Sequence, residues 1–178
     1  MTPLPPPQPD EYPPFYASYV AQATAAGADV IAVLESQRSL IAALGRLPET
    51  VAAKRYQPDK WSVKEIVGHL ADGERVFCYR AMRFARGDAT PVAGFDEKAY
   101  TPAARYDRRT IAQVADELAA VHEASIALFR TFDAEEGARW GLANGGKISV
   151  RAMAWIVAGH VLHHVDMLRD RYGVTVSP

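Results

Sequence analysis

From Phe15 onward, apolar residues recur at spacings of three and four, and no stretch sustains the strict alternation that a strand requires. The pattern predicts four main helices. The first runs from about Asp29 to Leu44, with Ile31, Leu34, Ile41 and Leu44 on one stripe, Asp29 as its cap, and Gly45 and Pro48 beyond its end. A shorter helical stretch, Phe15 to Ala25, precedes it. The second helix has the clearest start: Ser62 and Glu65 have the spacing of a capping box, and Trp61 and Ile66 that of a hydrophobic staple. It stops near Arg86, where Gly87 offers a left-handed exit. The third opens at Thr110, with Gln113 completing a second capping box, and carries Val114, Leu118, Val121, Leu128 and Phe132 inward before ending around Asp133. The fourth starts after Ser149 and runs to Tyr172, followed by Gly173. Asn144-Gly145-Gly146-Lys147 reads as a turn.

Four long helices without strands predict an all-α four-helix bundle with axes about 20° from parallel or antiparallel. Residues 87–106, holding Pro91, Gly94 and Pro102, form a link long enough to travel the length of the bundle. Crossover connections are therefore expected, and so long a link is a lid candidate. The proline-rich residues 1–14 read as an extended, poorly ordered arm, and residues 15–178 as a single domain.

Charge and cysteine usage narrow the function classes. The 178 residues carry 20 Lys plus Arg against 21 Asp plus Glu, so no net field draws nucleic acid or an anionic membrane. A lone cysteine, Cys78, excludes an internal disulfide and a thiolate metal cage, and suits a reducing cytoplasm. The arm lacks the pattern of a signal peptide, and the longest apolar stretch, Ala152 to Leu162, is too short to span a bilayer. A cytoplasmic protein is expected, with no nucleic-acid or membrane partner.

The candidate chemistry lies in the five histidines. His160 and His164 stand four apart, about 40° from one another on a helical wheel. Met153 and Met167 fall close to His160 on that wheel, with Ile156, Val157 and Leu168 flanking, so the pair faces the core. His163 turns about 60° the other way, toward Asp166 and Asp170, which makes it a rim residue or an alternate ligand beside His160. His69 sits on the inward stripe of Ile66, Gly73, Val76 and Phe77. Three inward imidazoles on two helices can converge on one divalent cation, leaving positions open for water or substrate. The alternative is three separately satisfied core histidines.

Other residues enter as lesser candidates. Arg80 falls on the inward side near His69, where a guanidinium could take an anionic group, and Gly73 could leave room beside a metal. Asp72 and Glu65 flank His69 by a turn and could orient it or act as base, although Glu65 already serves the cap. Asp96 and Glu97 reach the site only if their loop folds over it. Cys78 turns to the opposite face, and His122 reads as a surface residue. Trp155 and Leu162 lie away from His160, which leaves the middle of the fourth helix apolar nearly all round and predicts a homodimer.

The run Trp61-Ser62-Val63-Lys64-Glu65 leading to Gly68-His69-Leu70, the segment Tyr79 to Phe84, the Pro91 to Tyr100 loop and the closing Gly159-His160-Val161-Leu162-His163-His164 resemble the DinB/YfiT-like superfamily. The resemblance covers about Asp29 to Tyr172. It implies a bundle with crossed connections and one divalent metal on His69, His160 and His164, zinc or nickel first, with iron or manganese as alternatives. It further implies a small-molecule substrate and either hydrolysis or S-transfer from a low-molecular-weight thiol. Beyond the ligands, Arg80 and Asp72 are the candidate catalytic residues. A non-enzymatic bundle with a structural metal is the competing class.

Overall fold

A computed structural model describes residues 4–176. The helices are α1 (Ala17–Ala26), α2 (Val30–Gly45), α3 (Glu49–Ala52), α4 (Val63–Ala85), α5 (Glu97–Ala103), α6 (Ile111–Phe129), α7 (Ala134–Ala138) and α8 (Val150–Tyr172). A hairpin of β1 (Trp140–Ala143) and β2 (Gly146–Ser149) leads into α8. The predicted caps set these boundaries. Asp29 accepts from the Ile31 amide, Ser62 and Glu65 close a capping box, Thr110 and Gln113 close another, and Ser149 accepts from the Ala152 amide. Gly87 and Gly173 take positive φ beyond the ends of α4 and α8.

The long helices form a four-helix bundle with crossed wiring. α6 packs between α2 and α4, and α8 packs against α4, so α2 and α4 lie on a diagonal despite following one another in sequence. α1 covers a further side of α8. Gly159 permits that approach, because a Cβ there would run into the Tyr19 carbonyl.

Several expectations are corrected. The strand-free reading missed the hairpin: Asn144 and Gly145 have φ of 51° and 74°, a tight turn of left-handed residues that pairs two four-residue strands too short to show a period. The proline-rich arm is docked from Leu4 onward, its first three residues lying outside the described ones. Leu4 is 2% exposed, Trp155 Nε1 donates to the Leu4 and Pro5 carbonyls, and Glu11 accepts from Ser149 Oγ at 2.7 Å and from Arg151 Nε at 2.7 Å. The arm thereby covers the Trp155 face of α8 that suggested a dimer. The 87–106 link holds α5, and Val92 bridges to Ala143 of the hairpin.

His122, expected at the surface, is buried. Its Nε2 donates to the Leu34 carbonyl at 2.8 Å and its Nδ1 meets Glu74 Oε1 at 3.0 Å. A wheel reading took it for the edge of the stripe, but α2 closes over that edge. The pair belongs to a polar belt between two apolar cores. One core gathers Val30, Leu34, Phe84, Phe129 and Trp155, and the other Ile41, Leu70, Val114, Leu118 and Leu168. Between them stand Gln37, which donates to the Ala158 carbonyl at 2.7 Å, the Glu74–His122 pair and His160, while His69 and His164 lie at the level of the second core.

Burial opposes the charged His122 imidazolium, but the hydrogen bond and charge of Glu74 outweigh it, and the pKa rises. A raised folded value means that the pair's contribution is full below about pH 6.5 and is lost as pH climbs through the folded value. His122→Ala strands a buried carboxylate and should cost about 3–5 kcal/mol in urea unfolding at pH 6. A loss below 1 kcal/mol, or one that grows with pH, would contradict this account.

Candidate metal centre

α4 and α8 lie side by side, and His69 from one meets His160 and His164 from the other. The His160 Nε2 atom is 3.1 Å from the Nε2 of His69 and 3.1 Å from that of His164. All three rings are at least nine-tenths buried. A tetrahedral ion with ligand bonds of 2.0–2.1 Å separates its nitrogens by about 3.3 Å, close to this spacing. An imidazole Nε2 carries either one proton or one lone pair, so neutral His160 cannot make two hydrogen bonds through that atom. The donor set fits a divalent cation better than it fits an internal network.

Electrostatics favours the same state. Burial lowers the His69 pKa to about 4, with the Asp72 charge opposing only in part. Burial and then the neighbouring imidazoles hold His160 and His164 well below the usual histidine range. The rings are therefore neutral at pH 7 and keep their lone pairs for a metal. Gly73 stands one turn along α4, where a Cβ would lie 3.2 Å from His160 Cε1, so it does leave room for that ring.

The lesser candidates disperse. His163 stays outside the cluster, half-buried, with its ring 5.0 Å from that of Tyr19. Asp72 does not touch His69 by hydrogen bond; it accepts from the Tyr106 hydroxyl at 2.6 Å and pairs with Arg75 at 3.4 Å. Glu65 is held by the cap and by Arg55 at 2.7 Å. Cys78 is turned to Ser125 at 3.1 Å, and burial pushes its thiol up to about 12. The Nδ1 atom of His164 is buried without a partner, so the outer support common around ligating histidines is missing there.

Two aromatic residues frame the cluster. Trp61 lies 4.8 Å from the His69 ring and Tyr19 5.4 Å from the His160 ring, centroid to centroid. Trp61 was legible as a staple and as the head of the run that carries the resemblance, not as a neighbour of His69, and Tyr19 carried no signal because α1 meets α8 through tertiary packing alone. A cavity of about 640 Å³ opens on His164 and is lined by Trp61, Met167 and, from α5, Glu97, Lys98 and Pro102. The lid candidate thus does contribute a wall. Asp96 instead caps α5, accepting from the Lys98 amide at 3.0 Å. Arg80 lies away from the histidines, on a second cavity.

Against known families, residues 32–168 match the sequence profile of the DinB superfamily. The chain belongs to the DinB superfamily. Among solved structures it shares the fold of YfiT from Bacillus subtilis, with a TM-score of 0.70 and 23% identity over 82% of this chain and 87% of that one. YfiT is described as a probable metal-dependent hydrolase with an unusual four-helix bundle topology. No match was found among curated proteins. In this DinB-superfamily chain, no single helix among the described residues is long and apolar enough to cross a membrane.

The depressed histidines carry a stability signature opposite in sign to that of His122. Between about pH 6.5 and about pH 4 the unfolded chain binds protons that folded His69 refuses, so chelator-treated protein should lose stability as pH falls through that window. Thermal melts at successive pH values test this, and His69→Asn should flatten the slope. A slope that the substitution leaves unchanged would show that the histidine carries none of it.

Proposed function

We propose that the protein is a metal-dependent hydrolase acting on a small molecule, with its ion held by His69, His160 and His164. The observation that carries this reading is the meeting of three buried, neutral imidazole nitrogens beside an open cavity. The description of YfiT, whose fold the chain shares, supports it. A bound divalent ion supplies Lewis-acid chemistry, polarising a substrate and acidifying water or a thiol. Among the described residues the cluster offers three protein ligands, the number typical of a catalytic site, whereas a structural site closes its shell with four. Zinc or nickel suits an all-imidazole set, with iron or manganese next.

The chain's own residues hold and shield. Gly73 gives the His160 ring its place, Trp61 and Tyr19 cover the flanks of the cluster, and α5 walls the cavity in which a substrate would sit. S-transfer from a low-molecular-weight thiol is the second reading, favoured by the same donor set. Its thiol must come from a cosubstrate, because Cys78 is protonated and faces Ser125. Either reaction suits a cytoplasmic protein.

Elemental analysis of untagged protein, with an assay panel of esters, amides and thiol-plus-electrophile mixtures, separates the readings. Zinc at 100 times its Kd should stabilise the fold by about 2.7 kcal/mol. His160→Ala should weaken metal binding more than about 100-fold, beyond the loss typical of an outer-shell partner, and abolish turnover. Full turnover by the chelated protein would refute the proposal. Gly73→Ala should weaken metal binding by about tenfold while α4 gains up to about 1 kcal/mol of helix stability. Equal affinity in that variant would mean that the His160 ring needs no such room.

A further inference from the structure

Arg80 is the one buried arginine among the described residues, 3% exposed, and it has no carboxylate partner there. Its Nη2 donates to the Ala93 carbonyl at 3.0 Å, its Nε is buried without any partner, and its head lies 5.8 Å from the centroid of the Phe77 ring. One carbonyl and one aromatic ring are poor compensation for a buried guanidinium, which ordinarily requires an anion with hydrogen bonds to its fork.

The side chain lines a cavity of about 570 Å³, a size suited to a small organic molecule. Phe15, Tyr16 and Phe95 give it apolar walls, and the turn at Asn144 and Gly145 closes one side. Its other charged groups are Asp96, Glu97 and Lys98. Asp96 is occupied in capping α5, and Glu97 makes no ion pair with Arg80. With Arg80 included, the wall holds two charges of each sign, which suits a monoanion better than a dianion.

We propose that this cavity is a carboxylate subsite, in which Arg80 takes the anionic group of a small organic acid with an apolar body. The planar fork that is short of partners matches a carboxylate edge. Glu97 and Lys98 line both this cavity and the one that opens on His164, so a single wall joins the two. Resting on the hydrolase reading, the extension is that the substrate is an acid held at Arg80 and presented toward the histidines. Arg80 is then a specificity residue, eleven positions and roughly 16 Å along α4 from His69.

The test follows the Arg80 Nε–H resonance of the full-length protein by NMR during titration with phenylacetate, its neutral isostere phenylacetamide and benzylphosphonate. Phenylacetate should shift that resonance saturably, and phenylacetamide should not. Arg80→Lys keeps the charge but loses the fork, and should bind phenylacetate at least tenfold more weakly. Should the buried substitution unfold the protein, Glu97→Gln serves in its place, and removal of a repelling carboxylate should tighten binding several-fold. The titration is run with chelator and again with zinc. A shift that survives chelation supports the subsite even where no metal is bound and the hydrolase reading fails. An unmoved Arg80 resonance, equal binding of the amide, tighter binding of the phosphonate, or weaker binding by Glu97→Gln would overturn the proposal.

Discussion

Hydrogen bonds from buried polar side chains to neighbouring helices fix how the bundle is aligned. Gln37 on α2 reaches the backbone of α8, and His122 on α6 joins Glu74 on α4 to the backbone of α2. Sliding any of these helices by a turn would leave a charge or an amide stranded among aliphatic side chains, at a cost of several kcal/mol. The polar belt therefore acts as a register mark between two apolar cores that would each tolerate more than one alignment. The histidine cluster adjoins that belt through His160, and its polar atoms face one another rather than an acceptor.

Burial acts alike on the four buried histidines, yet they end in opposite states. His122 sits 3.0 Å from a carboxylate that favours its charged form. His160 has three imidazoles as neighbours, those of His164, His69 and His163, which reinforce the effect of desolvation. What surrounds the ring, rather than how deeply it lies, decides whether it carries a proton or offers a lone pair. One bundle interior can thus hold both a structural ion pair and a set of neutral donors.

Crossed wiring is what makes the meeting of the histidines geometrically possible. His69 and His160 are 91 positions apart, and they touch because α4 and α8 are neighbours while α2 and α4 are not. The connections left over by that wiring do further work. The long link between α4 and α6 supplies α5 as a cavity wall, the hairpin before α8 closes the Arg80 cavity, and the N-terminal arm covers the apolar back of α8.

Helix starts and the inward direction of His69, His160 and His164 were legible in the amino-acid sequence because they depend on local interactions: capping hydrogen bonds across three residues and side-chain directions repeating every 3.6 residues. The fit to an all-α bundle followed from the same periodicity. Burial of His122, docking of the arm through Leu4 and Glu11, the short hairpin and the placing of Tyr19 over His160 were not legible, since each is decided by a partner distant along the chain. The sequence by itself determined the inward stripes that carry His69, His160 and His164. Only the tertiary structure decided which of them meet, because convergence depends on the neighbours that the connections allow, and that information is not carried by any local period.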